Sequence, residues 1–443
     1  MAKNADADAL IAFLNSSPTP FHAVVSAATR LRDLGAVRLD ERDTWSLAAG
    51  QTVFMERNGS SLVALRLPRD VTPSARLAFR IAAAHTDSPC LKLKPRPPDA
   101  AANYRQWGVE VYGGTLYNSW LDRDLGVAGR ISRPAGDGTG IHSVLFRMED
   151  APLRIPQLAI HLDRGVNDSG LVLNAQRHLQ PVLGLVDPPG RGLEALLEEA
   201  VGAPFDTLAL ELHLYDTSPA GYGGLDGEFI FSGRLDNLAM SHACLEAFCR
   251  SGQSLPSAPD YSNTQDTVNI QVIALFDNEE VGSVSAQGAN SNFIASVLER
   301  ALLALGRSRE EVLAALARSL IVSADMAHAL HPNYPEKHEP SHYPLLNHGP
   351  VVKGNASMRY ATNAETSTRF RAWCRRAEVP AQDFVNRADL ACGTTIGPHI
   401  AAALGIPTVD VGNPMLSMHS AREMAGSEDH GMMIRALREF FRG

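Results

Sequence analysis

The chain has 443 residues, of which 45% are hydrophobic and 20% charged, values typical of a globular protein with room for two domains. Its net charge of −9 and scattered arginines argue against a nucleic-acid-binding protein, and no run approaches the roughly 20 apolar residues of a membrane span. Five cysteines without a CxxC pair indicate a reducing compartment, so we expect a cytoplasmic protein.

The N-terminal region predicts two helices and a hairpin. Residues 6–15 have an amphipathic helical pattern, and a second helix begins at Pro20, with Thr19 as its N-cap. Asn58-Gly59 separates two strand-like runs and is typical of a tight β-hairpin.

The strand predicted over Leu77–Ala84 ends in His85-Thr-Asp-Ser-Pro. His85 and Asp87 share one face of an extended segment. This allows Asp87 to orient the imidazole while the other ring nitrogen binds a metal. The alternative is an ordinary polar loop after a strand.

The next region, residues 91–232, is rich in proline and glycine and contains short strand-like pieces. We predict that it forms a β-rich domain inserted between the two parts, 1–90 and 233–443, of a catalytic domain. Leu158–Asp163, around His161, is one of the predicted strands.

Gly233-Arg-Leu-Asp-Asn places Asp236 at the start of a helix predicted over 237–250. An Asp in this place is usually an N-cap. The alternative is a carboxylate that bridges two divalent metal ions. Residues 251–266, which follow the helix, predict a polar loop.

The C-terminal half alternates strands with helices. Val268–Phe276 ends in Asp277-Asn-Glu-Glu, Ser319–Ala324 ends in Asp325, and Pro407–Val411 precedes His419 by a few residues. Helical patterns at Ser291–Leu305 and Arg309–Arg318 separate these strands. Such alternation predicts an α/β fold with a mainly parallel twisted sheet flanked by helices.

Polar side chains therefore collect at the carboxyl ends of the strands, where open α/β sheets bind their ligands. Two imidazoles and three carboxylates suit a pair of zinc, cobalt or manganese ions, which would offset the repulsion between buried carboxylates. Glu279 and Glu280 diverge in direction, so one can bind metal while the other acts as general base. A solvated turn is the alternative for this pair.

His338-Glu-Pro-Ser-His342 satisfies the HExxH pattern of single-zinc proteases. That pattern requires a helix, which Pro340 would break. We therefore predict a loop here rather than a zinc site.

The chain resembles the aspartyl aminopeptidase family of dinuclear zinc metallopeptidases over essentially its whole length. The motifs that carry the resemblance are His85-Thr-Asp-Ser-Pro, Val111-Tyr-Gly-Gly, Leu158-Ala-Ile-His, Gly233-Arg-Leu-Asp-Asn, Asp277-Asn-Glu-Glu-Val-Gly-Ser, Ser323-Ala-Asp-Met-Ala-His, Gly349-Pro-Val-Val-Lys, Arg359-Tyr-Ala-Thr-Asn, Cys392-Gly-Thr-Thr-Ile-Gly-Pro and Met418-His-Ser-Ala-Arg-Glu.

The resemblance implies a role for each residue. One metal would take His85, Asp236 and Asp325, and the other Asp236, Glu280 and His419. Glu279 would be the general base and Asp87 the orienting carboxylate. The substrate-contacting residues would be Lys353, Tyr360 and His328, although Lys353 could instead be an ordinary salt-bridged surface lysine.

The resemblance also implies a tetrahedral dodecamer. His161 would then act in a neighbouring subunit's site and steady the oxyanion there; the alternative is a third metal histidine. Loop lengths such as that of 251–266 differ from those of the family. The resemblance therefore does not predict the shape of the entrance to the site.

We therefore expect a cytoplasmic aminopeptidase with two divalent ions per subunit that removes Asp or Glu from peptides with a free N-terminus. A broad-specificity aminopeptidase, a related dinuclear amidohydrolase or carboxypeptidase, and an inactive assembly protein are the alternatives. The acidic charge disfavours a dinuclear nuclease.

Overall fold

The computed structural model describes residues 4–443 except 70, 71, 73, 99–101, 137, 189 and 253–266. The α-helices of the described residues, α1 to α11, are Ala5–Ser16, Pro20–Asp33, Val166–Ser169, Ala175–His178, Leu193–Val201, Leu235–Ser251, Phe293–Ala304, Arg309–Arg318, Ala364–Arg376, Ile396–Leu404 and Asp429–Arg442. The strands, β1 to β21, are Val37–Arg38, Thr52–Arg57, Ser61–Arg66, Arg76–His85, Cys90–Leu93, Tyr104–Gln106, Val109–Tyr112, Leu125–Pro134, Ile141–Leu153, Val182–Leu185, Ala209–Asp216, Gly221–Gly223, Phe229–Ser232, Thr267–Phe276, Leu320–Ala324, Ala327–His328, Val351–Gly354, Gln382–Val385, Thr408–Gly412, Pro414–Leu416 and Glu423–Gly426.

A nine-stranded twisted sheet forms the centre of the molecule, in the order β1-β2-β3-β14-β4-β15-β19-β17-β18. Its middle strands β14, β4, β15 and β19 are all parallel to one another, as the alternation of strands and helices predicts. Antiparallel pairing joins β3 to β14 and β17 to β19. The predicted α/β fold is therefore confirmed.

Helices cover both faces of this sheet. Alternate residues of β4 point to opposite faces, so that Ala82 and Ala84 belong to one apolar core with residues of α1, α2, α6, α9 and α11. Phe79 and Ile81 belong to a second core with residues of α7, α8 and α10. Burial on both faces explains why the middle strands are almost continuously apolar in sequence.

The N-terminal predictions are confirmed. Helix α1 covers the amphipathic run, and α2 begins at Pro20 after Thr19. Asn58 and Gly59, both with positive φ, connect β2 to β3 in the hairpin register.

Residues 90–216 supply a separate five-stranded sheet, in the order β7-β5-β11-β8-β9, and the small pair β10-β6. This sheet has its own apolar core, which contains Trp107 and Trp120. Strands β12 and β13, which lie within the predicted insert 91–232, form a further sheet with β21, β20 and β16 of the C-terminal segment 233–443. The division into domains stays a prediction.

The predicted strand Leu158–Asp163 is wrong. These residues form exposed turns, with Leu162 N–H donating to the Ala159 carbonyl. Alternating apolar residues are present, but no strand of the described residues pairs with this segment, and Leu158 and Leu162 are 59% and 75% exposed. The predicted loop over 251–266 lies, apart from its first two residues, outside the described part of the chain.

Three other expectations concern the described residues. His338–His342 has no helical structure, which confirms that the HExxH pattern is not that of a protease helix. All five cysteines lie in the described part of the chain, and none forms a disulfide. No helix there has both the length and the apolar character needed to cross a membrane.

Candidate metal centre

The predicted ligands meet at the carboxyl edge of the central sheet. His85 is the last residue of β4 and lies directly opposite Phe276, the last residue of β14, so Glu279 and Glu280 follow at the same level. Asp325 follows β15, which is parallel to β4. The parallel strands therefore place these side chains side by side.

Asp236 enters the site from the start of α6, where its own backbone is not yet helical. A Cβ atom on Gly233 would lie 2.7 Å from the Ala421 carbonyl oxygen, so the close approach requires glycine. Asn237 ties this entry to the end of β15, since its Nδ2 donates to the Ala324 carbonyl at 2.9 Å. The Asp236 side chain makes no capping hydrogen bond among the described residues, which removes the N-cap interpretation.

The two oxygens of the Asp236 carboxylate face different histidines. Oδ1 lies 3.6 Å from His85 Nε2, and Oδ2 lies 3.4 Å from His419 Nε2. Asp325 Oδ2 is 3.7 Å from the same His85 nitrogen, and Glu280 Oε2 is 3.4 Å from the same His419 nitrogen. The five side chains thus form two groups that share Asp236.

This arrangement fits divalent cations. Asp236 Oδ1 and Glu280 Oε1 are buried acceptors that no donor of the described chain satisfies. Ligand atoms of His85, Asp236 and Glu280 all lie within 4.8 Å of one another. Burial, with repulsion from Asp236, raises the pKa of Glu280 well above its usual value. Cations held between these oxygens would offset the free-energy cost of burying negative charges close together.

Asp87 lies behind the ligands rather than among them. Its carboxylate contacts His85 Nδ1 at 3.3 Å and accepts hydrogen bonds from the Tyr112 hydroxyl at 2.7 Å and from the backbone N–H groups of Glu279 and Glu280. Burial disfavours the ionised form of Asp87, yet these hydrogen-bonding and charged partners keep its pKa below the usual value. Asp87 therefore fixes both the imidazole and the two-glutamate turn.

Glu279 reaches the same cluster, with Oε2 at 3.9 Å from His85 Nε2. Burial raises its pKa to about 8; the nearby carboxylates, Asp325 first, add to the rise, and His85 opposes it. A carboxylate with such a pKa is a stronger base than an exposed one.

Lys353 is buried, with 2% of its surface exposed, which removes the interpretation as a surface lysine. Its Nζ lies 3.3 Å from Asp325 Oδ1 and 5.4 Å from the centre of the Tyr360 ring. Burial opposes ionisation of Asp325, but Lys353 and His85 hold the pKa of Asp325 at about 2. Lys353, Tyr360 and His328 line one cleft of about 390 Å³ together with the five candidate metal ligands.

His161 is the predicted site residue that the chain does not bring to this cleft. It lies in the exposed turn described above and is not among the residues that line the cleft. A third metal histidine within the same chain is therefore wrong.

Glu423 is a residue that the sequence reasoning missed. Its buried carboxylate accepts hydrogen bonds from the backbone N–H of Asp236 at 3.1 Å and of His419 at 2.8 Å. It thus holds the backbone of two candidate ligands. Its position four residues after His419, in a motif already recognised, was the available signal.

Comparison with known proteins agrees with this geometry. Residues 13–441 match the family described as Aminopeptidase I zinc metalloprotease (M18). The chain belongs to the M18 family. It is therefore a metalloaminopeptidase, and zinc is the metal that the family description names.

Three M18 relatives show how far the similarity extends. A Streptomyces coelicolor protein named probable M18 family aminopeptidase 2 is 44% identical over 98% of this chain and 96% of its own length. A Ricinus communis protein named probable aspartyl aminopeptidase is 41% identical over 98% of this chain and 94% of its own. The S. cerevisiae mApe1 dodecamer superposes with a TM-score of 0.82 at 29% identity and covers 99% of this chain and 97% of its own.

Proposed function

We propose that this M18 enzyme removes an N-terminal Asp or Glu from peptides by water attack at a site with two divalent metal ions. One observation carries the proposal. The two oxygens of Asp236 face two separate sets of ligands, His85 with Asp325 and His419 with Glu280. A carboxylate in this position could be shared by two divalent cations, each also held by a histidine and a second carboxylate.

Zinc held by these residues would polarise the first peptide carbonyl and lower the pKa of the attacking water. Glu279 would take a proton from that water and deliver it to the leaving amine as the peptide C–N bond breaks. Asp87 holds the His85 ring and the backbone of Glu279 in place throughout.

Acidic specificity is assigned to Lys353. Its ammonium is buried in the cleft beside Tyr360, and a buried cation attracts a carboxylate far more strongly than an exposed one. His328, exposed on the same cleft, is placed to contact the substrate. The name of the Ricinus communis relative supports this assignment.

The test compares aspartyl and leucyl chromogenic substrates with zinc-loaded enzyme, before and after treatment with a chelator. We expect faster hydrolysis of the aspartyl substrate, loss of activity with chelator, and recovery on adding zinc. Activity that survives full chelation contradicts the metal mechanism. A leucyl substrate that is cleaved much faster contradicts the acidic preference alone.

We further propose that residues 91–232 form an inserted domain through which the chain assembles into a homo-oligomer, a dodecamer like the yeast relative. The exposed Leu158, Ile160 and Leu162 around His161 support a contact with a neighbouring subunit. In that contact His161 would stabilise the oxyanion in the neighbour's site. The five free thiols support a cytoplasmic location.

Mixed assemblies test the role of His161. His161→Ala and Glu279→Gln assemblies should each have little activity, because one lacks the donor and the other the base. Subunits of the two variants refolded together should regain activity, because some sites then combine an intact Glu279 with a neighbour's intact His161. No recovery in mixtures shown by mass to be co-assembled contradicts action between subunits.

A further inference from the structure

A second cavity, of about 400 Å³, adjoins the catalytic cleft. We propose that it binds the side chain of the second residue of the peptide, with a preference for aromatic and large apolar side chains. The inference rests on the proposed aminopeptidase function. We call this cavity the outer chamber; its walls include His328, Tyr334, Phe384, Leu390 and Met415.

The outer chamber and the cleft share two walls, His328 and Phe384. The two ring centroids are 5.9 Å apart, and the Phe384 ring lies 6.4 Å from that of Tyr360, which lines the cleft but not the outer chamber. Phe384 is also the register partner of Lys353 in the neighbouring strand. The Phe384 ring therefore lies between the pocket assigned to the first side chain and the outer chamber.

The pocket for the first side chain cannot also hold the rest of the peptide. Lys353 and Tyr360, at its end, are only 2% and 6% exposed. The outer chamber is open, since Tyr334 and Leu390 on its walls are 55% and 42% exposed. Its wall at Met415–Ser417 leads directly into the loop that carries His419. A peptide whose first carbonyl lies beside His419 can therefore continue into the outer chamber.

The chemistry of the walls favours apolar side chains. The walls include the buried apolar side chains of Ala329, Phe384 and Met415. Polar neighbours bind one another instead. The His338 ring accepts the His331 N–H at 3.0 Å, Glu339 pairs with His342, and Arg387 pairs with Asp389. The aromatic and aliphatic surfaces of Tyr334, Phe384 and Leu390 remain for a ligand to contact.

The experiment measures kcat/KM for four amidated tripeptides, Asp-Phe-Gly, Asp-Gly-Gly, Leu-Phe-Gly and Leu-Gly-Gly, with zinc-loaded enzyme. Amidation removes attraction between a terminal carboxylate and Lys337 at the rim of the chamber. The wild type should prefer Phe over Gly at the second position by about tenfold or more. Tyr334→Ala and Leu390→Ala should each reduce this ratio to about threefold or less.

Matched controls come from the same surface. Tyr343 and Leu345 are exposed to a similar extent, 41% and 39%, but do not line the outer chamber. Tyr343→Ala and Leu345→Ala should keep the wild-type ratio. Because each ratio compares two substrates of one enzyme preparation, differences in folding or metal content cancel.

Two results overturn the inference. The first is a Phe-to-Gly ratio near one in the wild type, or one that Tyr334→Ala and Leu390→Ala leave unchanged. The second is a change in the Asp-to-Leu ratio alone, which would assign the outer chamber to the first side chain. A preference for Leu over Asp at the first position contradicts the proposed acidic specificity and not this inference. The ratio of kcat/KM for Phe over Gly at the second position still tests the outer chamber in that case.

Discussion

Replacing Glu423 tests whether a residue that binds no substrate controls the metal centre. Its carboxylate accepts two backbone N–H groups, those of Asp236 and His419, and is only 2% exposed. Burial, with repulsion from Asp236, raises the pKa of Glu423 to about 8, so the value for a charged acceptor does not apply at pH 7. Leaving two buried N–H groups without an acceptor costs about 1–3 kcal/mol each, so Glu423→Ala should destabilise the fold by about 2 kcal/mol or more. Glu423→Gln keeps one acceptor oxygen and turns its NH2 group toward the other N–H, so about half of that loss is expected.

Metal affinity is the decisive readout. Removing a group that orients a ligand costs about 10–100-fold in affinity, and Glu423 holds the backbone of the shared Asp236 and of His419. We expect both variants to release zinc at lower chelator concentrations than the wild type, with Glu423→Ala the weaker binder. The assay follows zinc content by mass spectrometry across a chelator series, alongside urea unfolding.

Glu428→Ala is the control, because this carboxylate lies nearby in sequence but is exposed. Such a change should alter stability by about 0.5 kcal/mol or less and leave zinc affinity unchanged. If Glu423→Ala folds and holds zinc as tightly as the wild type, the two backbone contacts do not position the ligands and the reasoning is refuted.

Three further outcomes are expected. Glu279→Gln should lower kcat by about 10²–10⁴-fold with zinc content unchanged, and a kcat near the wild-type value would remove Glu279 as the base. Lys353→Met should lower kcat/KM for the aspartyl substrate by about 30-fold or more and spare the leucyl substrate, whereas equal losses would point to the contact with Asp325. His242 and His430 share a buried 2.8 Å hydrogen bond, and burial lowers the pKa of His242 to about 3 and that of His430 well below its usual value. Below pH 6.5 the unfolded chain binds protons on these rings and the folded chain does not, so the free energy of unfolding should fall by up to about 1.4 kcal/mol per pH unit for each ring. Urea unfolding at pH 7, 6 and 5 should show that the free energy of unfolding depends less on pH in His242→Gln than in the wild type, and an unchanged dependence would refute this.

Local signals predicted much of the catalytic region. The apolar runs that form β4, β14 and β15 are largely buried on both faces, so their sequences show little alternation of apolar and polar residues. Polar residues follow each run at once, which makes the end of each strand easy to locate in the sequence. Because parallel strands end at one edge, the residues after them were expected to lie together, and the structure places His85, Glu280 and Asp325 there. The roles of these residues stay proposals.

The remaining features depend on contacts between distant segments. Glu423 reaches Asp236 because β21 pairs with β13, almost 200 residues earlier in the chain, and no local pattern encodes that pairing. The segment around His161 shows the opposite error. Alternation of Leu158, Ile160 and Leu162 indicates an apolar side but not what covers it, and no strand of the described chain pairs with it.

The zinc content of Asp236→Ala decides whether Asp236 bridges two metal ions. We expect two zinc ions per subunit in the wild type. In Asp236→Ala both should be lost together, because the two oxygens face the ligands of both ions. His85→Ala and His419→Ala, as matched variants, should each weaken mainly one ion. An Asp236→Ala protein that folds and keeps two tightly bound zinc ions would contradict the bridging role.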